Sequence, residues 1–272
     1  MSLSETKFLL RKHRILPNKL LGQNFMVEPS VFQSLSDYAS VNRNDVVLDV
    51  GAGFGFLTRF LSNKCSRVVA VEKDSQIAEV LRERLSGLSN VTIIEGDVLK
   101  VPIPSFSKVV SVPPYQISSR LLVWLFDRGF ECAVLVFQKE FADRLVAPVG
   151  TEDYGWLTVF TYYHAEVELL DAVPRWMFFP EPEVDSMIVR LRPQEASPFE
   201  LKDAALFRQM LRSLFAKRNK KVSNAIVPFI KGTLRLPAEE TKKLVHELPF
   251  RDKRVRVLAP EDFGALANAL VD

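Results

Sequence analysis

The sequence is poor in the residues that build disulfide frameworks and metal centres. Its 272 residues include only two cysteines and three histidines. Cys65 and Cys132 lie far apart and outside any Cys-x-x-Cys spacing, so we expect neither a disulfide framework nor a zinc site, and both are predicted to be small buried hydrophobic residues. The histidines show no ligand spacing. The sequence therefore predicts no metal site and no His-based catalytic triad.

Long hydrophobic runs are also missing. No run approaches the roughly 18 apolar residues of a membrane span. The first twenty residues lack the apolar block and small-residue cleavage site of a signal peptide. We therefore expect a cytoplasmic protein with no membrane contact. Hydrophobic residues make up 47% of the chain and charged residues 25%, values that are ordinary for a globular protein with a real core.

Charge is small in total and uneven in place. The formal net charge is +3. Residues 194–272 carry 15 basic and 10 acidic side chains and residues 1–20 carry 5 and 1, whereas residues 21–193 carry 16 and 22. Basic ends around an acidic middle favour a polyanion bound at the periphery. The alternative is solvated surface charge that happens to cluster.

Short β-branched runs alternate with helical patterns between residues 30 and 140, which is typical of a parallel sheet with crossover helices. The predicted strands are 45–50, 67–72, 91–97, 108–112 and 132–138, with helices that include 75–85 and 119–128. Two later runs, 164–173 and 183–193, predict an antiparallel pair at the edge of this sheet. The strands are nearly all apolar, as expected when helices cover both faces.

The pattern changes after a segment rich in proline and polar residues at 192–200, which we interpret as a linker. Helical patterns follow at 207–226, 237–248 and 260–270. The sequence thus predicts two domains, an α/β domain over 1–193 and a small all-α domain over 194–272.

Candidate binding residues follow successive strands, where an open parallel sheet binds its ligand. The first strand is followed by Gly51 and Gly53, which allow a tight turn and a close approach of the backbone. The second ends in Glu72, placed for ribose hydroxyls, and the third in Asp97, placed for an adenine amine. The fourth ends in Pro-Pro-Tyr. Taken singly, these residues are also explained as plain turns, capping carboxylates and a packed tyrosine.

Several longer blocks carry a resemblance to a known family. They are LGQNF (21–25), GAGFGFLT (51–58), VEKD (71–74), GDVLK (96–100), PYQISS (114–119), FQKEFADR (137–144), FFPEPEVDSMIVRLRP (178–193) and LFAKRNKKVSNAI (214–226). In this order they resemble the small-subunit ribosomal RNA adenine dimethyltransferases, in an archaeal-like form. The resemblance implies a Rossmann-like class I methyltransferase sheet, mostly parallel with an antiparallel edge, plus the helical domain.

The resemblance also implies a reaction and a set of site residues. The expected enzyme uses S-adenosyl-L-methionine to dimethylate the exocyclic amines of two adjacent adenosines, in a hairpin loop near the 3′ end of small-subunit RNA. The implied cofactor-binding residues are Asn24, Met26, Gly51, Gly53, Glu72 and Asp97. With the charge map, the basic groups predicted to hold RNA are Arg11, Arg14, Lys217, Arg218, Lys220 and Lys221. We expect a monomer that acts on the small ribosomal subunit or its RNA.

One block departs from the family pattern. The family carries Asn-Leu-Pro-Tyr where this chain has Val112, Pro113, Pro114 and Tyr115. An adenine amine is a poor nucleophile, and two acceptors, the asparagine oxygen and a backbone carbonyl, can hold its hydrogens so that the lone pair points at the methyl group. Tyr115 supplies the face on which the extruded base stacks. Val112 cannot accept a hydrogen bond, so the sequence predicts weakened catalysis or an acceptor supplied elsewhere.

Three other functions remain as alternatives. A non-catalytic RNA-binding assembly factor of the same fold would fit the loss of the asparagine at Val112. A large-subunit RNA methylase of the resistance type shares the cofactor blocks, but the 178–186 and 214–221 blocks favour the small-subunit group. A dehydrogenase is disfavoured because the glycine motif lacks its third glycine.

Overall fold

The structure is a computed structural model that describes residues 3–18 and 21–271. The chain divides into two compact units. The first comprises Met1–Ala142 and Val167–Pro193, and the second comprises Asp143–Glu166 and Gln194–Asp272. Across the described ranges, none of the helices combines the length and the apolar character that a membrane span needs.

The first unit contains a seven-stranded sheet and a short two-stranded one. Its strands are β1 (Phe25–Met26), β2 (Val46–Val50), β3 (Arg67–Glu72), β4 (Val91–Glu95), β5 (Lys108–Ser111), β6 (Cys132–Gln138), β7 (Ala165–Val173), β8 (Phe178–Phe179) and β9 (Ser186–Pro193). The large sheet has the order β4-β3-β2-β5-β6-β9-β7. Strands β2 to β6 pair in parallel and β9 pairs antiparallel with β6. This confirms the Rossmann-like α/β fold.

Two strands end earlier than the sequence predicts. β4 ends at Glu95 rather than residue 97, because Gly96 adopts a φ of +142° that a strand does not contain. β5 ends at Ser111 rather than residue 112. The two prolines that follow supply no N–H to a ladder, and Val112 is held outside it. Both early ends leave the next residues free to form the wall of a cavity.

Six helices accompany these strands. They are α1 (Leu3–Lys12), α2 (Ser30–Tyr38), α3 (Phe56–Ser62), α4 (Ser75–Leu85), α5 (Ser118–Phe126) and α6 (Lys139–Leu145). α4 has the predicted bounds, and Asp74 caps it by accepting from the N–H groups of Gln76 and Ile77 at 3.0 and 3.2 Å. Its buried residues recur three and four apart, which fixes the face that packs on the sheet.

One core cluster joins strands β2, β5 and β6 to helices α2 and α3. It contains Leu35, Leu61, Val134 and the two cysteines, all buried. Cys65 and Cys132 are therefore small buried hydrophobic residues, as the sequence predicts. Val112 packs against the edge of this cluster while remaining partly exposed.

The second unit is helical. Its elements are α7 (Trp156–His164), α8 (Ala204–Phe215), α9 (Val222–Ala225), α10 (Val227–Phe229), a π-helical turn (Ile230–Leu234), α11 (Ala238–Glu247) and α12 (Pro260–Asn268). Residues 143–166, which the division at 193 assigns to the first domain, group with this unit. Tyr154 shows why, because its hydroxyl donates to the carbonyl of Leu258 at 2.8 Å and its ring packs on Phe215.

The single helix predicted over 207–226 is wrong. α8 ends at Phe215, and a turn over residues 216–221 leads into α9. The turn is tied to another part of the chain, because the N–H of Val222 donates to Lys253 and the N–H of Val255 donates to Lys220. Such pairing between distant segments is invisible to helical periodicity. The basic cluster therefore lies in a turn rather than along a helix face.

Candidate functional site

A cavity of about 470 Å³ lies in the first unit, at the carboxyl ends of the parallel strands. All ten predicted cofactor and catalytic residues line it. They are Asn24, Met26, Gly51, Gly53, Glu72, Asp97, Val112, Pro113, Pro114 and Tyr115. Residues far apart in sequence thus meet in one place, as expected where parallel strands end at a common edge. The volume suits a nucleoside-sized ligand.

The turn after β2 packs tightly against the Pro-Pro turn after β5. Gly51 has a φ of +73°, and its N–H donates to the carbonyl of Val71 at 2.8 Å. A Cβ at Gly51 would lie 2.7 Å from Cδ of Pro114. Real Cβ contacts are not that short, so the close approach of the two turns requires glycine here.

Glu72 sits at the end of β3 and is largely buried. Its two oxygens accept from the N–H groups of Gly53 and Asp74, each at 2.9 Å. Burial raises the pKa of this carboxyl, and the two backbone donors oppose that rise. Each oxygen has a second lone pair, so the carboxylate can still accept from hydroxyl donors in the cavity.

Asp97 follows β4 and faces the same cavity. Its oxygens accept from the N–H of Leu99 at 3.1 Å and from Nζ of Lys73 at 3.3 Å. Burial works to raise the pKa of Asp97, but these hydrogen bonds and the charge of Lys73 outweigh it, so the pKa lies below its ordinary value. Asp97 is therefore an ionised acceptor near neutral pH.

Asp49 is a cavity residue that the sequence reasoning missed. It lies in β2, is 1% exposed, and accepts from the hydroxyl of Thr58 at 2.7 Å. Burial raises the pKa of Asp49 to about 7, and the nearby charge of Glu72 adds to the rise. An acid inside the otherwise apolar strand 46–50 was the signal that could have found it.

Asn24 and Met26 line the same cavity. β1 pairs antiparallel with β8, with Phe25 opposite Phe179. Nδ2 of Asn24 donates to the carbonyl of Gly22 at 3.4 Å. Nε2 of Gln23 donates to Asp74 at 2.9 Å, which ties this part of the cavity to the start of α4.

The Val-Pro-Pro-Tyr segment forms the remaining wall. The neighbouring Ser111 is buried, and its hydroxyl donates to the carbonyl of Val50 at 2.7 Å while accepting from the N–H of Val50 at 3.0 Å. That hydroxyl is fully buried in the sheet and does not line the cavity, so it does not replace the carboxamide absent at position 112.

Tyr115 is held from the opposite side by residues that the sequence reasoning did not single out. Its hydroxyl lies 2.6 Å from Oγ of Ser186, and the ring of Phe178 meets its ring edge to face at 6.4 Å. Burial raises the pKa of Tyr115 to about 12. The tyrosine is therefore neutral at physiological pH. The 178–186 block was the available signal for both partners.

The predicted RNA-binding residues fall into two groups, one in each unit. Arg11 and Arg14 are exposed at the end of α1. In the second unit Lys217, Lys220 and Lys221 are exposed, and Lys221 pairs with Asp252 at 3.1 Å. The guanidinium of Arg218 donates to the carbonyls of Thr151 and Glu152, both at 2.5 Å, so it also supports the fold of that unit. Among residues 3–18 and 21–271, no group of three or more His, Cys, Asp or Glu could hold a metal ion.

Comparison with known proteins gives consistent matches. The model of the family described as ribosomal RNA adenine dimethylase matches residues 16–255. A protein of Methanosarcina acetivorans named probable ribosomal RNA small subunit methyltransferase A is 40% identical over 266 residues, 97% of each chain. A protein of the same name from Thermococcus kodakarensis is 40% identical over 256 residues, 93% of this chain and 90% of the other.

Solved structures agree with these sequences. A dimethyladenosine transferase from Plasmodium falciparum superposes with a TM-score of 0.76 at 29% identity, covering 89% of this chain and 95% of its own. The 23S rRNA methyltransferase ErmE superposes with a TM-score of 0.64 at 28% identity, covering 92% of this chain and all of its own. Both the dimethyladenosine transferase and the 23S rRNA methyltransferase therefore share this architecture.

Proposed function

Since the chain belongs to the ribosomal RNA adenine dimethylase family and is a methyltransferase, we propose that it dimethylates the exocyclic amines of two adjacent adenosines in the 3′-terminal hairpin loop of small-subunit ribosomal RNA. The observation that carries this proposal is that one cavity is lined both by the strand-end carboxylates and by the Pro-Pro-Tyr turn. The reaction belongs to ribosome assembly, and we place it in the cytoplasm.

The cavity residues fit S-adenosyl-L-methionine, which supplies an electrophilic methyl group. The backbone of the glycine turn at Gly51 lines the cavity, where it would lie against the cofactor's methionine part. Glu72 accepts from ribose hydroxyls and Asp97 accepts from the adenine amine. Asn24 and Met26, which also line the cavity, would contact the cofactor. Two acceptor carboxylates without a phosphate-binding lysine loop fit a nucleoside cofactor better than a nucleoside triphosphate.

The chain positions the target base rather than activating it chemically. Tyr115 offers an aromatic face that Ser186 and Phe178 hold in place, and an extruded base stacks on such a face. A backbone carbonyl in the Pro113–Pro114 turn accepts one amine hydrogen and directs the lone pair. The neutral phenol of Tyr115 takes no proton, and none need be removed before attack. Positioning is the main catalytic contribution.

A second function is favoured by one specific observation. Val112 offers no acceptor, and the neighbouring Ser111 hydroxyl is committed to Val50. The chain could therefore bind cofactor and RNA while transferring methyl groups slowly or not at all, as an assembly factor. Cofactor affinity does not separate this function from the first, and only turnover does.

RNA binding is proposed to extend beyond the cavity. Exposed Lys217 and Lys220 in the turn after α8, with the partly engaged Arg218 and Lys221, present positive charge on the second unit. Arg11 and Arg14 do the same on the first unit. Such groups contact phosphates and position the RNA without reading its sequence.

The test is transfer of methyl groups to small subunits purified from cells that lack this modification. Modified positions are mapped from the masses of nuclease fragments. Two methyl groups on each of two adjacent adenosines in the 3′-terminal hairpin loop are expected. Methylation of large-subunit RNA instead, or of small-subunit nucleotides elsewhere, would overturn the proposed substrate. Bound cofactor and RNA with no transfer would favour the assembly factor.

A further inference from the structure

Trp176 stands out among the three tryptophans of the chain because it is exposed. It shows 59% of its surface, whereas Trp124 shows 8%. Trp156 is partly buried and lies under the guanidinium of Arg212, 4.6 Å from the ring centroid. An exposed apolar side chain by itself is common on protein surfaces. The support and surroundings of Trp176 are what distinguish it.

The backbone around Trp176 is held on both sides. The N–H of Arg175 donates to Oδ1 of Asp185 at 2.8 Å, and the carbonyl of Met177 accepts from the N–H of Val27 at 2.8 Å. Met177 packs on the core cluster, and Phe178 is 2% exposed. The indole is therefore an exposed ring on a fixed base. A ring presented in this way loses little conformational freedom when it binds a partner.

The segment that includes Trp176 also contacts Tyr115, the aromatic residue of the candidate active site. Phe178, whose ring meets Tyr115, is two residues after Trp176, and two residues span at most about 7 Å. Asp185, which holds the backbone of Arg175, directly precedes Ser186, which holds the hydroxyl of Tyr115. The backbone that carries Trp176 is thus fixed by neighbours of the two residues that contact Tyr115.

Arg175 lies directly before this ring in the sequence, among the exposed carboxylates Glu181, Glu183 and Asp185. The side chain of Arg175 is 59% exposed. Its Nε lies 3.9 Å from Oε2 of Glu181, and such a long, exposed ion pair contributes little energy. Nζ of Lys7, in the middle of α1, lies 5.0 Å from the ring centroid of Phe179, three residues after Trp176. Proteins that bind single-stranded RNA combine aromatic rings, on which the bases stack, with cations, which neutralise the phosphates.

We propose that Trp176 is a stacking platform for an unpaired RNA base next to the target adenosine. This rests on the proposed function and deepens it by assigning a second nucleotide site. When the target base leaves the loop for the cavity, its neighbour loses a stacking partner. The indole of Trp176 replaces that partner, and the neighbouring nucleotide then holds the RNA in register with Tyr115.

The first test compares variants in binding to a hairpin RNA that carries the target loop. Trp176→Leu keeps an apolar side chain without a ring and should weaken binding about 5- to 150-fold, the range expected for one stacked base. Trp176→Phe keeps a ring and should restore part of the loss. S-adenosylmethionine affinity and the unfolding midpoint should not change, because the ring contributes to neither the cavity nor the core.

Two controls separate stacking from charge and from structure. Arg175→Ala, at the adjacent position, should lower the salt dependence of binding, whereas Trp176→Leu should leave it unchanged. A hairpin with an abasic site in place of the base on one side of the target should bind wild type and Trp176→Leu equally. Two such hairpins are measured, one abasic on the 5′ side of the target and one abasic on the 3′ side. An equal loss on intact and on both abasic RNAs, or no loss on any, would overturn the platform.

A fluorescence measurement gives an independent readout. In a protein carrying Trp124→Phe and Trp156→Phe, Trp176 is the sole tryptophan, and stacking on a base should quench its emission when the hairpin is added. Unchanged emission with bound RNA would contradict the proposal. These outcomes are distinct from failure of the proposed function. That failure is seen in the wild type as absent adenosine methylation, whereas failure of the stacking proposal leaves methylation by the wild type intact.

Discussion

Val112 lines the cavity with two methyl groups at the position where the resembling family carries an asparagine. Its own side chain accepts no hydrogen bond, and the hydroxyl of Ser111 is already engaged on both sides with Val50. A hydrogen bond lost from a buried partner costs about 1–3 kcal/mol. The transition state in this cavity is therefore expected to lack one of two contacts to the adenine amine.

Replacing Val112 with asparagine should restore that contact. We expect Val112→Asn to transfer methyl groups about 5- to 150-fold faster under single-turnover conditions, the rate equivalent of the missing hydrogen bond. Val112→Ala is the matched control, because it alters packing without adding an acceptor and should show no gain. Equal rates for wild type and Val112→Asn, at equal cofactor affinity, would show that no acceptor is missing.

Asp49 makes the stability of the protein depend on pH. Its pKa is about 7 in the folded protein, against 3.8 for the ordinary group, because burial disfavours the charge. Between these values the folded protein holds a proton that the unfolded chain releases, so the contribution of Asp49 to stability falls as the pH rises from about 4 to about 7. The full loss is at most about 4 kcal/mol.

The neutral variant Asp49→Asn should not show this loss. We expect its free energy of unfolding, measured by urea denaturation without cofactor, to increase relative to that of wild type as the pH rises from 4 to 8. Glu79→Gln neutralises an exposed carboxylate on α4 and should track wild type throughout. A constant difference between Asp49→Asn and wild type across that range would mean that Asp49 is ionised in the folded protein.

Among the elements, the turn after β2 and the turn after β5 have to fit each other. Gly51→Ala should destabilise the protein and weaken S-adenosylmethionine binding at least 10-fold, because the new methyl group would meet Cδ of Pro114. Gly129→Ala is the matched control, since Gly129 has a φ of +75° but nothing within 4 Å of an added Cβ. Gly129→Ala should lower the free energy of unfolding by about 1 kcal/mol, because it places an alanine in the left-handed conformation without a clash. Equal losses of affinity and stability in the two variants would rule out the clash.

The parallel strands and the strand-end residues could be predicted from the sequence, because both depend on local patterns. β6 and α4 have the predicted bounds, and Gly51, Glu72 and Asp97 meet where strand order alone places them. The break between α8 and α9 was not predictable in this way, since it depends on pairing with residues 251–255. The same holds for the contact of Ser186 with Tyr115, which joins residues 71 positions apart.

At the scale of the whole molecule, the uneven charge predicts how RNA binding responds to salt. Lys217→Ala with Lys220→Ala removes two exposed cations from the turn after α8 and should lower the slope of log affinity against log salt concentration by about 1.5. Lys221 is left in place because it pairs with Asp252. Lys242→Ala with Lys243→Ala, on α11 of the same unit, removes equal charge as a control. If both double variants lower the slope equally, the change is caused by the lower total charge and not by the loss of contacts at this turn.

The most direct test of the account is a single-turnover reaction of wild type and Tyr115→Ala on unmethylated small subunits. Labelled S-adenosylmethionine is used, and the nucleosides are analysed by mass after digestion. The account predicts dimethyladenosine from wild type, and a rate at least 10-fold lower from Tyr115→Ala with cofactor affinity retained. Dimethyladenosine from both proteins at the same rate would contradict it, as would cofactor-bound wild type that leaves every adenosine unmethylated.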